Sequence, residues 1–202
     1  FTQVLSGLPL EKLKITLPGF HDLSLRYNQF TNTCREGSPS RIKEAKAEIE
    51  FVRAYASTVD TFKKIESLTS FKKRVTHHDT KISNILFNKN GQGICVIDLD
   101  TIMPGYFISD VGDMLRTYLS PVSEEEQDFS KIEIREDYFK AVFEGYLSQM
   151  KTEMTGDEVA QFVYAGEFMI YMQAVRFLTD FLNNDPYYGA SYEGHNFIRA
   201  KN

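Results

Sequence analysis

The sequence predicts a mostly helical α+β domain organised around one small central β-hairpin. Three observations predict it. Asn90-Gly91 stands between two short apolar runs, Asn84-Ile85-Leu86-Phe87 and Gly93-Ile94-Cys95-Val96-Ile97, which is a strong hairpin signal. Residues 136–151 and 156–183 carry apolar side chains at helical spacing, and the second stretch is apolar nearly all round, as a buried helix is. No internal repeat, low-complexity tract or Pro/Gly/Ser-rich linker divides the 202 residues, so one domain over 1–202 is expected.

Taken in order, residues 1–33 hold irregular apolar residues with a breaker at Leu17-Pro18-Gly19-Phe20, so no element is assigned there. Ser38-Pro39-Ser40 is a helix-start signal. Ile42, Ala45, Ile49, Val52 and Ala56 then recur near a 3.6 period, predicting a helix over 40–57. A second, shorter helix fits 59–67, and Arg74-Val75-Thr76-His77 fits a strand. A two-residue turn at Asn90-Gly91 pairs Lys89 with Gln92 and puts Asn84 opposite Ile97, with Asp98 as diagonal neighbour. Helices follow over 110–119, 136–151 and 156–183, with a polar connection at 121–134.

Charge and composition exclude several classes. Lys plus Arg is 23 against 28 Asp plus Glu, a net −5, and there is no basic run of five. A phosphate-tracking nucleic-acid surface is therefore not expected. No apolar stretch approaches 18 residues, so no membrane partner is expected. Cys34 and Cys95, the only two cysteines, lie far apart without a partner motif, which suits a reducing, cytoplasmic compartment better than a disulfide scaffold.

The chemistry concentrates in 76–100, THHDTKISNILFNKNGQGICVIDLD. Asp79 lies five residues before Asn84 on the loop entering the hairpin, so an amide oxygen and the carboxylates of Asp79, Asp98 and Asp100 are expected on one rim. Phosphoryl transfer uses such a group. Hard oxygens hold Mg²⁺, which keeps several waters and takes one or two protein carboxylates, while another carboxylate orients the attacking hydroxyl and takes its proton.

His77-His78-Asp79-Thr80-Lys81-Ile82-Ser83-Asn84 fits H-x-D-x-x-x-x-N and resembles the catalytic loop of kinase-like phosphotransferases. Ile97-Asp98-Leu99-Asp100 departs from the Asp-Phe-Gly of protein kinases and looks like the aminoglycoside phosphotransferase and choline kinase group, as does Asn84-Ile85-Leu86-Phe87. Val96–Gly105, Asp110–Arg116, Pro18–Asp22, Arg176–Asp180 and Gly194-His195-Asn196 look most like the N-acetylhexosamine 1-kinases. No G-x-G-x-x-G and no strand-borne V-A-x-K precedes the loop, so the chain looks like the C-terminal lobe alone, inactive without an ATP-binding lobe.

The resemblance implies an ATP- and Mg²⁺-dependent kinase acting on a small polar acceptor, an amino sugar phosphorylated at its anomeric hydroxyl. Asp79 would be the catalytic base and Lys81 would meet the transferring phosphate; Asn84, Asp98 and Asp100 would bind metal. Arg176, Tyr187 and Tyr188 would bind the acceptor, although Arg176 also shares a helix face with Gln173 and Asp180, which an intrahelical ion pair would explain. His77 reads as a brace for the loop, and Asp113 with Arg116 as its support; His78 has no reading. Other acceptors (an aminoglycoside, a choline-like compound, an amino alcohol), a non-catalytic acceptor-binding lobe and, more remotely, a two-metal hydrolase remain as alternatives.

Overall fold

The computed structural model describes residues 1–202, and they form two compact units. The first comprises 1–21, 68–121 and 133–169; the second comprises 22–67, 122–132 and 170–202. The helices are α1 (Leu23–Glu36), α2 (Pro39–Glu44), α3 (Lys46–Ala54), α4 (Ser57–Ser67), α5 (Phe107–Tyr118), α6 (Glu136–Met150), α7 (Gly156–Ala160), α8 (Phe162–Leu182) and α9 (His195–Lys201). The strands are β1 (Arg74–Thr76), β2 (Ile85–Phe87), β3 (Gly93–Val96) and β4 (Met103–Gly105). The fold is helix-rich α+β, as the sequence predicts. No helix is long and apolar enough to cross a membrane.

In the first unit the strands form two separate antiparallel pairs, where the sequence suggested only the hairpin. β1 pairs with β4, Arg74 facing Gly105 and Thr76 facing Met103. Met103-Pro104-Gly105 carries no strand signal because Pro and Gly are poor strand formers; its partner strand imposes the conformation. Phe162, at the start of α8, sits among the rings of Phe107, Phe139, Phe143 and Tyr146, with centroid separations of 4.9 to 6.5 Å. Arg74 reaches Glu158 on α7 bidentately at 2.6 and 2.9 Å, and the backbone N–H groups of Lys72 and Thr155 also donate to that fully buried carboxylate. A buried ion pair is tolerable in that form, with its oxygens fully used.

The hairpin turns differently from the expected two-residue loop. Gly91 N donates to Asn88 O at 3.0 Å and Asn88 N donates to Gln92 O at 2.9 Å, so three residues, Lys89-Asn90-Gly91, span the turn. Gly91 is left-handed at φ 75° while Asn90 is not, which excludes a type I′ turn and fits a type I turn ending in a glycine bulge. The pairing shifts between Leu86 and Phe87, which restores the expected register beyond it: Leu86 faces Cys95, Ile85 faces Val96, and Ile97 N donates to Asn84 O at 2.9 Å.

Two long helices read from the sequence are divided. The helix expected over 156–183 breaks at Gln161, where α7 closes with a tight hydrogen bond to Glu158 O and α8 begins. Its Thr155–Glu158 capping box pins the first turn. α8 is not buried all round, since Val163, Glu167 and Ile170 line an exposed stripe.

In the second unit the helix expected over 40–57 breaks at Ala45, whose ψ of 21° leaves the helical range, giving α2 and α3. The unpredicted α1 is mostly polar: Leu23 and Phe30 are its buried apolar side chains, Tyr27 is half-buried and Leu25 is exposed. Asp22 caps it, accepting from Leu25 N at 2.9 Å. The core joins Leu23, Phe30, Val59, Phe62, Met172, Val175 and Leu178, and Phe181 stacks on Phe197 of α9 at 4.7 Å. Gly194, at φ 79°, supplies the left-handed residue from which α9 starts.

Candidate functional site

The site grows from the loop leaving β1. His77 Nε2 donates to Ile97 O at 3.0 Å, and its Nδ1 accepts the Asp79 N–H at 3.3 Å. That pair of bonds places the ring proton on Nε2, and His77 braces the loop against the strand that precedes Asp98. α5 holds the loop from below. The wholly buried Asp110 accepts from His77 N at 3.0 Å and His78 N at 2.7 Å. Thr80 Oγ1 donates to Asp110 O at 2.7 Å, and Tyr118 OH donates to Thr80 O at 2.5 Å. Burial raises the Asp110 carboxyl to about 6, with the two backbone N–H bonds pulling the other way.

His78 adopts a left-handed φ of 67°. Its Nδ1 lies 2.7 Å from Ser109 Oγ, which also bonds His21 Nδ1, so one hydroxyl joins two imidazoles. Burial pushes His78 down to about 4, so it is neutral at ordinary pH. A Cβ at Gly105 would come within 2.5 Å of the His78 ring, which explains glycine in β4.

Asp79, Lys81 and Asn84 are brought together. Lys81 Nζ donates to Asp79 Oδ2 at 2.9 Å, and this bond holds the lysine above its usual range. Asn84, buried at the end of a short 3₁₀ turn, donates its amide to both Asp79 O and Asp79 Oδ2 at 2.9 Å. Asp79 Oδ1 accepts none of these bonds. Asp98 is the next residue after Ile97, left-handed at φ 60°, exposed, and in no side-chain hydrogen bond. Strained non-glycine residues at both His78 and Asp98 are typical of sites whose geometry is held by their surroundings. Asp100 follows in a 3₁₀ turn, exposed, with its backbone oxygen taken by Thr16 Oγ1 at 3.0 Å. Asp113 pairs with Arg116 along α5 at 3.0 Å. A mostly apolar cleft of about 580 Å³ opens beside Asp79, lined by Lys81, Asn84, Met114, Tyr118, Val142 and Tyr146 among others.

A magnesium ion fits this donor set only in its sparsely ligated form. No three His, Cys, Asp or Glu side chains cluster to hold a metal. Asn84 spends its nitrogen on Asp79 and keeps its oxygen, and Asp98 offers an unengaged carboxylate, which suits an ion that retains most of its waters.

Arg176, Tyr187 and Tyr188 lie in the second unit and line one cleft of about 360 Å³. The guanidinium carbon stands 5.8 and 5.4 Å from the two tyrosine ring centres. Arg176 Nη1 donates to Gln173 Oε1 at 3.3 Å on the same helix face, which also carries Asp180. The two oxygens of Asp180 accept the backbone N–H groups of Tyr187 and Tyr188 at 2.9 Å and shape the loop. Arg26, Gln29 and Asn32 complete the cleft and have no counterpart in the sequence reading, because α1 itself was not legible. His21, Ser109 and the clamp by Asp110 were also missed, since they meet the loop from 30 or more residues away.

A carboxylate on a braced loop, bonded to a lysine and an amide where the chain enters a hairpin, defines a kinase-like phosphotransferase. The model of the phosphotransferase enzyme family matches residues 12–149, about two-thirds of the chain. The chain therefore belongs to that family.

Proposed function

We propose that this chain is the catalytic and acceptor-binding lobe of an ATP-dependent small-molecule kinase that phosphorylates the anomeric hydroxyl of an N-acetylhexosamine. The observation that carries this reading is the joining of Asp79, Lys81 and Asn84 by hydrogen bonds of 2.9 Å beside an open cleft. In the reaction the acceptor oxygen bonds to the γ-phosphorus as the bond to the β–γ bridging oxygen breaks, and the hydroxyl proton passes to Asp79. Lys81, held by Asp79, reaches toward the transferring phosphoryl group. Asn84 and Asp98 would hold Mg²⁺, with Asp100 in support from the adjoining turn, and the ion would supply neutralisation of charge on the phosphates. His77, Asp110, Thr80 and Tyr118 keep Asp79 in place, and such preorganisation is most of what the protein contributes to phosphoryl transfer. Arg176, Tyr187 and Tyr188 recognise the acceptor, a forked donor with aromatic faces suiting an acetamido sugar. Residues 1–202 carry no G-x-G-x-x-G and no strand-borne V-A-x-K.

The test is phosphorus NMR on the full-length protein with MgATP and N-acetylglucosamine, N-acetylgalactosamine, choline and an aminoglycoside in parallel. The reading expects a sugar 1-phosphate only with the amino sugars. Transfer to choline or the aminoglycoside instead would reassign the acceptor, and sugar binding without any transfer would make this a recognition lobe.

A further inference from the structure

The loop that carries Tyr187 and Tyr188 leaves α8 in a conformation that its own residues do not favour. Asn184 and Asp185 are both left-handed, at φ 67° and 61°, and two such non-glycine residues in succession persist only where the surroundings fix them. The backbone supplies one tie, Asp185 N donating to Asp180 O at 2.8 Å. Other ties come from side chains outside the loop. Arg41 of α2 donates through Nη1 to Asp185 Oδ2 at 2.5 Å and to Phe181 O at 2.7 Å. Asn196 of α9 is fully buried, and its amide nitrogen donates to Asp185 Oδ1 at 2.9 Å, Gly189 O at 2.8 Å and Asp180 Oδ2 at 3.2 Å. Its oxygen accepts from Arg199 Nη1 at 3.3 Å. That guanidinium lies 3.8 Å from the ring centre of Phe177 and 5.3 Å from that of Tyr188. An amide suits this place because it donates to two carboxylates on one side and accepts from an arginine on the other.

The bonds of Asn196 close the loop at both ends, at Asp185 and at Gly189, and Asp180 is the same carboxylate that accepts Tyr187 N and Tyr188 N. Tyr187 and Tyr188 are thereby presented to the cleft as a fixed pair, their ring centres 4.8 Å apart. A pair held in place before the ligand arrives binds more tightly than one that must be ordered on binding.

We infer that Asn196 is a positioning residue for the acceptor: it does not line the cleft, and it fixes the 184–189 loop so that Tyr187 and Tyr188 stand ready for the ligand. The inference rests on the acceptor role proposed above for those two tyrosines and adds the group that sets their placement.

The experiment compares wild type, Asn196→Ala and Asp185→Asn as full-length proteins, by calorimetry with N-acetylglucosamine and by initial rates with MgATP. Asn196→Ala leaves the buried acceptors at Asp185 and Gly189 without their donor, so sugar affinity should fall by about tenfold or more. Acceptor KM should rise in parallel while kcat falls by less than about threefold, a split that a general loss of structure would not give. Asp185→Asn, half-buried on the loop itself, keeps shape and removes the charge that faces Arg41; it should weaken sugar binding by about threefold or more, and it carries the test if circular dichroism shows that Asn196→Ala does not fold. Unchanged sugar affinity in a folded variant, or a kcat loss as large as the KM rise, would overturn the inference and leave the acceptor assignment standing. Absence of sugar binding by the wild type would overturn both. Sugar binding without phosphate transfer would overturn the kinase reading alone, because the calorimetric comparison needs no transfer.

Discussion

Asp110 and His78 carry opposite titrations a few ångströms from the loop that holds Asp79. His78 is lowered to about 4, so between pH 6.5 and 4 the unfolded chain takes a proton that the folded chain refuses, and stability is lost as pH falls. Asp110 is raised to about 6, so between pH 6 and about 4 the folded chain keeps a proton that the unfolded chain has released, and stability is gained as pH falls. The two slopes offset in the wild type. His78→Asn tolerates the left-handed backbone and removes one slope, so in urea melts its stability relative to wild type should rise by roughly 3 kcal/mol from pH 6.5 to 4. A constant difference across that window would contradict the buried, neutral imidazole. Activity should behave oppositely to the Asp110 slope, falling below about pH 6 as protonation takes one acceptor from the His77 and His78 N–H groups. At the proposed metal ligand, Asp98→Asn keeps shape and removes charge. Calorimetry with Mn²⁺ should then show affinity reduced by about tenfold or more, a charge-assisted contact being worth ~1.5–3 kcal/mol, and unchanged affinity would remove Asp98 from the metal site. Asp79 and Asn84 were legible in the sequence because five residues of one loop fix their spacing. The His21–Ser109–His78 link was not, because only the fold brings those residues together.

Among the elements, the hairpin shows how a local signal can be right about register and wrong about the turn. Asn90-Gly91 announced reversal, but Asn88 Oδ1 accepts from Asn90 N at 2.9 Å and Gln92 N at 3.0 Å, and that side-chain bonding favours the three-residue loop. The bulge then restores the pairing that puts Asn84 across from Ile97. Gly91→Ala meets no atom within 4 Å, so its cost is conformational alone: about 1–2 kcal/mol in chemical denaturation if φ 75° is kept. A neutral result would mean the turn is not left-handed at that position. α1 escaped detection for a different reason. A mostly polar helix with two buried apolar side chains gives little periodicity, and it is docking against α4 that makes it stable.

For the whole molecule, helix-rich α+β architecture followed from periodicity, whereas the division into two units did not, because no linker composition marks it. The first unit exposes much of the apolar surface of its hairpin, Leu86 and Phe87 from β2 and Ile94 from β3. The residues 1–202 hold no glycine-rich phosphate loop, so the isolated chain should turn over MgATP and N-acetylglucosamine well below the ~1–100 s⁻¹ of typical kinases. Steady turnover in that range would show that it needs no other lobe. The most direct test of the central assignment is the initial rate of phosphoryl transfer by the full-length protein at saturating MgATP, wild type against Asp79→Asn. Asparagine keeps the hydrogen-bonding shape but cannot take the hydroxyl proton. The expected result is a kcat at least about 100-fold lower with acceptor KM changed by less than about threefold. Retention of more than about a tenth of wild-type kcat would contradict the role of Asp79, and with it the phosphotransfer mechanism assigned to this loop.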